Sequence, residues 1–202
     1  MANFIDSMIR GGVSNVPLRY AKANNPDMED YDPSKPSIYL FYIDVNNLYG
    51  KAMMEKLPYG GFEWDYDIIE YLSGEELTNK VLAYIEKLNK NGKGAFFEVD
   101  LTYPERLHDL HNDFTLVQTE NVKVGKVTKL ISNLNDKENY RLHYRTPLYY
   151  LRKGMVLTKV HKVLRFNESN WLAPYIELNS KLRAQATNDF DKENFKIMNN
   201  AY

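Results

Sequence analysis

The first 36 residues lack a regular alternation of apolar and polar positions. They carry the turn signals Gly11-Gly12, Pro17, Asn24-Asn25-Pro26 and Asp32-Pro33-Ser34-Lys35-Pro36, and so predict an irregular segment. The pattern then changes. Ser37 to Val45 is almost continuously apolar and rich in Tyr, Ile and Phe, which predicts a strand buried on both faces. Asn46-Asn47 marks a turn into a short helix, Leu48 to Leu57. From Asp65 to Asn89, Ile68, Ile69, Leu72, Leu77, Val81, Leu82, Ile85 and Leu88 recur at steps of three and four and predict a helix, broken at Asn91-Gly92-Lys93-Gly94. Further strands are predicted at Ala95 to Leu101, Tyr140 to Tyr144 and Val156 to Phe166, with a short helix at Pro147 to Lys153 ended by Gly154. Two helices close the chain, Trp171 to Ala186 and Phe190 to Tyr202, separated by Thr187-Asn188-Asp189. Strands interrupted by helices, with two helices in succession at the end, predict an α+β fold.

Composition narrows the chemistry. The 202 residues include no cysteine, which excludes disulfides, thiolate metal sites and a cysteine nucleophile within the chain. Any metal would be held by carboxylates, histidines or carbonyls, which favours hard cations such as Mg2+. No run approaches the roughly 20 apolar residues of a membrane span. Met1 to Arg10 includes Asp6 and has no uninterrupted apolar stretch, so no signal peptide is predicted. An intracellular, non-secreted protein with no membrane partner is therefore the expectation. Net charge is -1, but it is unevenly spread: Asn121 to Arg183 holds 13 Lys and Arg against 4 acidic residues, net +9, and the remainder is net -10. Such a basic half suits phosphates, and it also suits a solvated lysine-rich surface. Tyr140, Tyr144, Tyr149 and Tyr150 interleave with Arg141, Arg145 and Arg152, a pattern open both to base stacking and to a small core.

Three segments carry a resemblance. Asp44-Val45-Asn46-Asn47-Leu48-Tyr49 resembles motif A of family B DNA polymerases, a strand ending in Asp-x-x-Ser/Asn-Leu-Tyr. Lys196-Ile197-Met198-Asn199-Asn200-Ala201-Tyr202 resembles the start of their motif B, Lys-x-x-x-Asn-Ser-x-Tyr/Phe-Gly. Ile9-Arg10-Gly11-Gly12 is similar to the Tyr-x-Gly-Gly element of the protein-primed members found in bacteriophages, linear plasmids and large virus-like DNA transposons. The order agrees, and the separation of 152 positions from Asp44 to Lys196 leaves room for the insertion those enzymes carry. Ile9, Asn47, Gly50 and Ala201 stand where the family has tyrosine, serine, proline and serine.

The resemblance implies a polymerase palm, an antiparallel sheet with helices, plus an insertion and fingers helices, incomplete at the C-terminus. Its parts would be a linker-like segment at 1–36, palm with motif A at 37–94, a basic insertion contacting DNA or a terminal priming protein at 95–166, and fingers helices at 167–202. Asp44 would be the catalytic aspartate and, with the Val45 carbonyl, a Mg2+ ligand of a two-metal site. Asn47 and Leu48 would turn backbone N–H groups toward the triphosphate, and Tyr49 would exclude a ribonucleotide 2′ hydroxyl. Lys196, Asn200, Lys192 and Arg183 would bind the deoxynucleoside triphosphate, with Lys181 a rival to Arg183. Lys192, Lys196 and Asn200 recur at steps of four, one polar stripe about 12 Å long. Arg10, Gly11 and Gly12 would contact DNA. The implied function is protein-primed, DNA-directed DNA synthesis on a primer-template. A second catalytic carboxylate would follow Tyr202, leaving the 202-residue chain inactive alone. The competing reading is a non-catalytic module that binds DNA or a terminal protein.

His108-Asp109-Leu110-His111-Asn112-Asp113 suggests a third reading, a metal-dependent hydrolase, because His108 and His111 would share a helical face. A third ligand at a convincing spacing is lacking, so a solvated polar loop is expected there.

Overall fold

The computed structural model describes residues 1–14, 16–67 and 72–201, and within strand β3 it leaves the side chains of Glu120 and Asn121 aside. In chain order the elements are α1 (Ala2–Asp6), α2 (Leu48–Met53), β1 (Leu57–Asp65), α3 (Gly74–Lys90), β2 (Lys93–Thr102), a 3-10 turn (Glu105–Leu107), α4 (His108–His111), β3 (Gln118–Val124), β4 (Val127–Ser132), β5 (Lys137–His143), α5 (Arg145–Arg152), β6 (Val156–Ser169), α6 (Ala173–Gln185) and α7 (Asp189–Asn200). The α+β class follows directly. Four strands form one antiparallel sheet in the order β1-β6-β2-β5, and β3 and β4 form a separate hairpin.

The core lies between this sheet and α3. Leu77, Val81, Ile85 and Leu88 are buried at steps of four, four and three, one stripe of a 3.6-residue helix. They pack with Phe97 and Val99 of β2 and Val160 and Val163 of β6, all buried. Tyr84, on α3, meets Phe97 edge-on at 6.2 Å between ring centres and donates its hydroxyl to Asp65 Oδ2 at 2.6 Å. The opposite face begins apolar at Phe96, Leu164 and Phe166 and is capped by α1, where Phe4 meets Trp64 at 5.1 Å. Gly94 and Ala95 are neighbours inside β2, and β1 pairs with β6, so residues 37–94 and 95–166 contribute to one sheet.

Several predicted elements need correction. Ser37 to Val45 is not a buried strand: its one bridge is Asn24 with Ile38, and Phe41, Tyr42 and Ile43 are almost fully exposed. An apolar run signals a demand for burial, yet it does not supply a partner. The edges of the four-stranded sheet are β1 and β5, and neither pairs with this run. The helix expected from Asp65 begins at Gly74; Asp65 instead ends β1, buried against Tyr84 and Arg165. Ile68 and Ile69, assigned to that helix, lie outside the described residues, as does Tyr202 of the motif B-like segment. Tyr140, Tyr144 and Tyr150 fill the core, whereas Tyr149 is half-exposed.

The His108–His111 segment is not a solvated loop either. Tyr103 organises it: its hydroxyl lies 2.8 Å from His111 Nδ1 and accepts the Leu116 N–H at 3.3 Å, while His108 Nε2 donates to the Tyr103 carbonyl at 3.1 Å. His111 is buried, because a histidine whose ring nitrogen is satisfied by a tyrosine can sit among apolar groups.

Candidate functional site

The turn after Asp44 is set by Asn47. Its backbone is left-handed (φ 54°, ψ 43°), a conformation asparagine tolerates better than other side-chain-bearing residues. This residue precedes α2 and its carbonyl accepts the Lys51 N–H at 2.9 Å. The short helix packs on both α6 and α7. Those two helices pack on one another, and the Tyr175 hydroxyl donates to the Met198 carbonyl at 3.0 Å. Asn188 caps α7 by accepting the Asp191 N–H at 2.8 Å.

Where the three helices meet there is a cleft of about 290 Å3 lined by Asn47, Ser180, Arg183, Ala184, Lys192 and Asn199. Asn47, Arg183 and Lys192, named from sequence alone, are thus brought together from segments more than 130 residues apart. Two cations, a hydroxyl and two amides around a small open volume form a set of donors suited to an anionic ligand. Lys192 Nζ also lies 3.3 Å from Asp189 Oδ1, an exposed pair that an incoming anion can compete with.

The other sequence-assigned residues stand apart from this cleft. Lys196 faces Glu193 at 3.2 Å, and Asn200 is exposed; neither lines it. Asn199 does, and it is buried, with its Oδ1 lacking a hydrogen-bond partner among the described residues. On α6, Asn179 Nδ2 is likewise buried and unpartnered. Asn199 and Ser180 were missed from sequence, although Asn199 sits seven residues after Lys192, and so on the same helical face. Asp44, Val45, Leu48 and Tyr49 are all exposed, and Asp44 makes no hydrogen bond or ion pair among the described residues. The expected rigid strand beneath Asp44 does not form: residues 39–45 belong to no strand or bridge among the described residues. Among the described residues, no group of three or more His, Asp or Glu is placed to hold a metal ion.

Arg10 lies over the Tyr140 ring at 4.1 Å and borders a cleft of about 380 Å3 with Ser7, Lys137 and Arg141. A β-carbon on Gly11 or Gly12 would meet nothing within 4 Å, so packing inside the chain does not require either glycine. Beneath this region, buried Glu98 is held by Arg141 Nε at 2.5 Å and Lys162 Nζ at 2.9 Å. Burial pushes the Glu98 carboxyl up, but the two cations outweigh it and hold it below the usual carboxylate range.

No protein-family model, curated protein or solved structure matches the chain. No helix among the described residues is long and apolar enough to cross a membrane.

Proposed function

We propose that the chain is the palm-and-fingers part of a protein-primed, DNA-directed DNA polymerase, and that the cleft between α2, α6 and α7 takes the phosphates of the incoming deoxynucleoside triphosphate. The observation that supports this most is the convergence of Asn47, Arg183 and Lys192 on one cleft. The resemblance assigns these three residues to one triphosphate, and that role needs the turn after Asp44 to lie beside cations of the last two helices. In this reading Arg183 grips phosphate oxygens with its planar fork, and Lys192 adds a mobile point charge. The N–H groups of Asn47 and Leu48 face the same ligand, and Tyr49 stands under the sugar. Lys196 and Asn200, exposed on α7 and outside the cleft wall, would meet the parts of the substrate that extend beyond it.

The available donors fit Mg2+ in kind, since Asp44 and the Val45 carbonyl are hard oxygen ligands. Magnesium bound through one or two carboxylates ordinarily completes its shell with water and substrate phosphates. When bound, it would neutralise phosphate charge and polarise the reacting oxygens. DNA primer-template would lie along the basic 121–183 surface, with a terminal protein as a further partner.

The test has two parts. The chain should bind a Mg2+-deoxynucleoside triphosphate, and Arg183→Ala should weaken binding about tenfold or more. In the complete gene product, Asp44→Asn should abolish nucleotide incorporation while leaving DNA binding nearly intact. Unchanged synthesis would overturn the catalytic assignment, and DNA binding without any nucleotide binding would favour the non-catalytic module.

A further inference from the structure

Strand β5 ends the four-stranded sheet and pairs on one side only, with β2. The Tyr144 N–H donates to the Ala95 carbonyl at 2.9 Å, and the register continues with Leu142 opposite Phe97 and Tyr140 opposite Val99. Antiparallel ladders alternate, so Tyr140, Leu142 and Tyr144 bond β2, and the backbone N–H and C=O groups of Arg141 and His143 turn outward. Those outward groups have no hydrogen-bond partner among the described residues. Two clefts, of about 380 and 370 Å3, share Arg10 and Tyr140 and follow this edge. Side chains alternate between the faces of a strand, so a cleft bordered by every residue from Asp136 to Arg141 lies beside β5 and not over one face. The second cleft is apolar, with Ile5, Met8, Leu142 and Tyr150 on its wall. The opposite edge, β1, is blunted by Pro58, Gly60 and Gly61 and by two register shifts, whereas β5 has neither proline nor glycine.

We propose that the open edge of β5 takes residues 37–45 of a second copy of the chain as an added strand, each copy giving its run to the other in a two-fold dimer. The run holds no proline or glycine, its one charge is Asp44, and Phe41, Tyr42 and Ile43 are 80%, 99% and 82% exposed. Apolar segments of this kind pair readily with an open edge. In its own copy the run is tied at both ends, by the bridge of Ile38 to Asn24 and by α2, which packs on α6 and α7, and it borders neither cleft. Antiparallel addition matches like with like. The first half of the run meets the apolar cleft at the His143 end, and Asp44 falls at the polar end, where Lys137 and Arg141 stand with Asp136 and Glu138. At their exposures, Tyr39, Phe41 and Tyr42 present roughly 350–550 Å2 per copy, with about 150–250 Å2 for each aromatic side chain. Two reciprocal contacts, counting both sides of each, bury on the order of 1,000–2,000 Å2, against roughly 1,200–2,000 Å2 for a stable dimer. The inference does not rest on the triphosphate reading.

Sedimentation velocity and backbone amide exchange of the unaltered chain test it from about 1 to 100 µM, the range suited to an interface of this size. A monomer–dimer equilibrium is expected, with the Arg141 and His143 amides gaining about tenfold or more protection as dimer forms. The Leu142 amide, already bonded to β2, should change little. Phe41→Lys, at an exposed position, should keep the thermal midpoint and weaken dimerisation about tenfold or more, because a lone charge resists burial. Thr146→Arg, which fills the apolar cleft, should weaken it similarly. A chain monomeric throughout overturns the proposal. So does a dimer whose Arg141 and His143 amides exchange freely, the result expected when two runs pair with each other. Protection present equally at every concentration puts the run on its own copy's edge and overturns the dimer, and growth past the dimer overturns the reciprocal exchange. If Thr146→Arg does not fold, the amide measurement and Phe41→Lys decide. Failure of the unaltered chain to bind nucleotide bears on the triphosphate reading alone.

Discussion

The Asn47 side chain folds back over Gly50 and occupies the space that a β-carbon on Gly50 would need. Gly50 is buried in the first turns of α2, so this contact fixes the left-handed turn against the helix that follows. Proline, common at this place in the resembled family, has no room here.

Gly50→Ala is therefore expected to push the exposed Asn47 side chain aside, with a stability change of no more than about 1 kcal/mol because alanine also favours the helix over glycine. It should also weaken triphosphate binding, because Asn47 must leave the cleft wall. Asn47→Gly should cost little stability, since glycine accepts the left-handed backbone and frees the space above Gly50. A Gly50→Ala chain that binds triphosphate like the original would show that Asn47 moves aside without consequence.

His143 gives the fold an acid sensitivity. Burial, with Arg145 adding repulsion, lowers its pKa to about 4. Its ring packs 5.6 Å from Phe96 and 5.8 Å from Phe166. As pH falls from the ordinary histidine value of about 6.5, the unfolded chain takes up a proton that the folded chain refuses, so stability falls until about pH 4. The loss should be on the order of 1–3 kcal/mol, read as a declining urea midpoint. His143→Phe should remove most of that decline. An equal decline in the variant would assign the sensitivity to other groups.

Much of the fold was legible in the sequence, and the failures have physical causes. Helix α3 and strands β2 and β6 were visible because burial imposes a period on each of them. Strand β1 was not: Pro58, Gly60 and Gly61 read as turn residues, and they sit in an edge strand whose register shifts twice against β6. The β3–β4 hairpin alternates as Val122-Lys123-Val124 and Val127-Thr128-Lys129 around Gly125, whose φ of +63° suits the tight turn. That signal is short, and Val124 and Val127 are exposed, so nothing tied it to a core. In the cleft, Arg183 and Lys192 were chosen by charge and motif. Asn199 was hidden because only the packing of α7 on α6 decides which of two adjacent asparagines faces inward.

Lys137 predicts a pH response of the same sign as His143, in an alkaline window. Its side chain is buried, with Nζ donating to Asn133 Oδ1 at 2.7 Å and to the Asn135 carbonyl. Burial lowers its pKa to about 8, although Asp136 pulls the other way. Above pH 8 the folded chain releases a proton that the unfolded chain keeps until about pH 10.4, so stability should rise with pH across this window. Lys137→Met should be more stable than the original at pH 7 and show a flat midpoint from pH 7.5 to 9.5. A variant that loses stability at pH 7 would mean that the two hydrogen bonds outweigh the cost of burying the ammonium group.

Glu98 lies at the centre of the charged patch on the α1 side of the sheet. Arg141 bonds it from β5 and reaches on to Ser7 Oγ at 2.6 Å, while its guanidinium lies 5.4 Å from the Phe4 ring centre. Lys162 completes the pair from β6 but keeps half its side chain in solvent. Removing Glu98 thus strands two cations that retain water access, and the cost should fall below that of a fully enclosed ion pair. Glu98→Gln is expected to lose about 1–3 kcal/mol at pH 7. Because the folded pKa lies below the ordinary glutamate value, this stabilisation is present above about pH 4.3 and is lost as pH falls through the folded pKa. The Glu98→Gln midpoint should therefore converge with the original at acid pH. Arg141→Ala should cost more than Lys162→Ala, because only Arg141 also holds α1, and amide exchange in Ala2–Asp6 should quicken in the first variant alone. Equal exchange in both would mean that Phe4 on Trp64, rather than the Glu98–Arg141–Ser7 chain, holds α1 on the sheet.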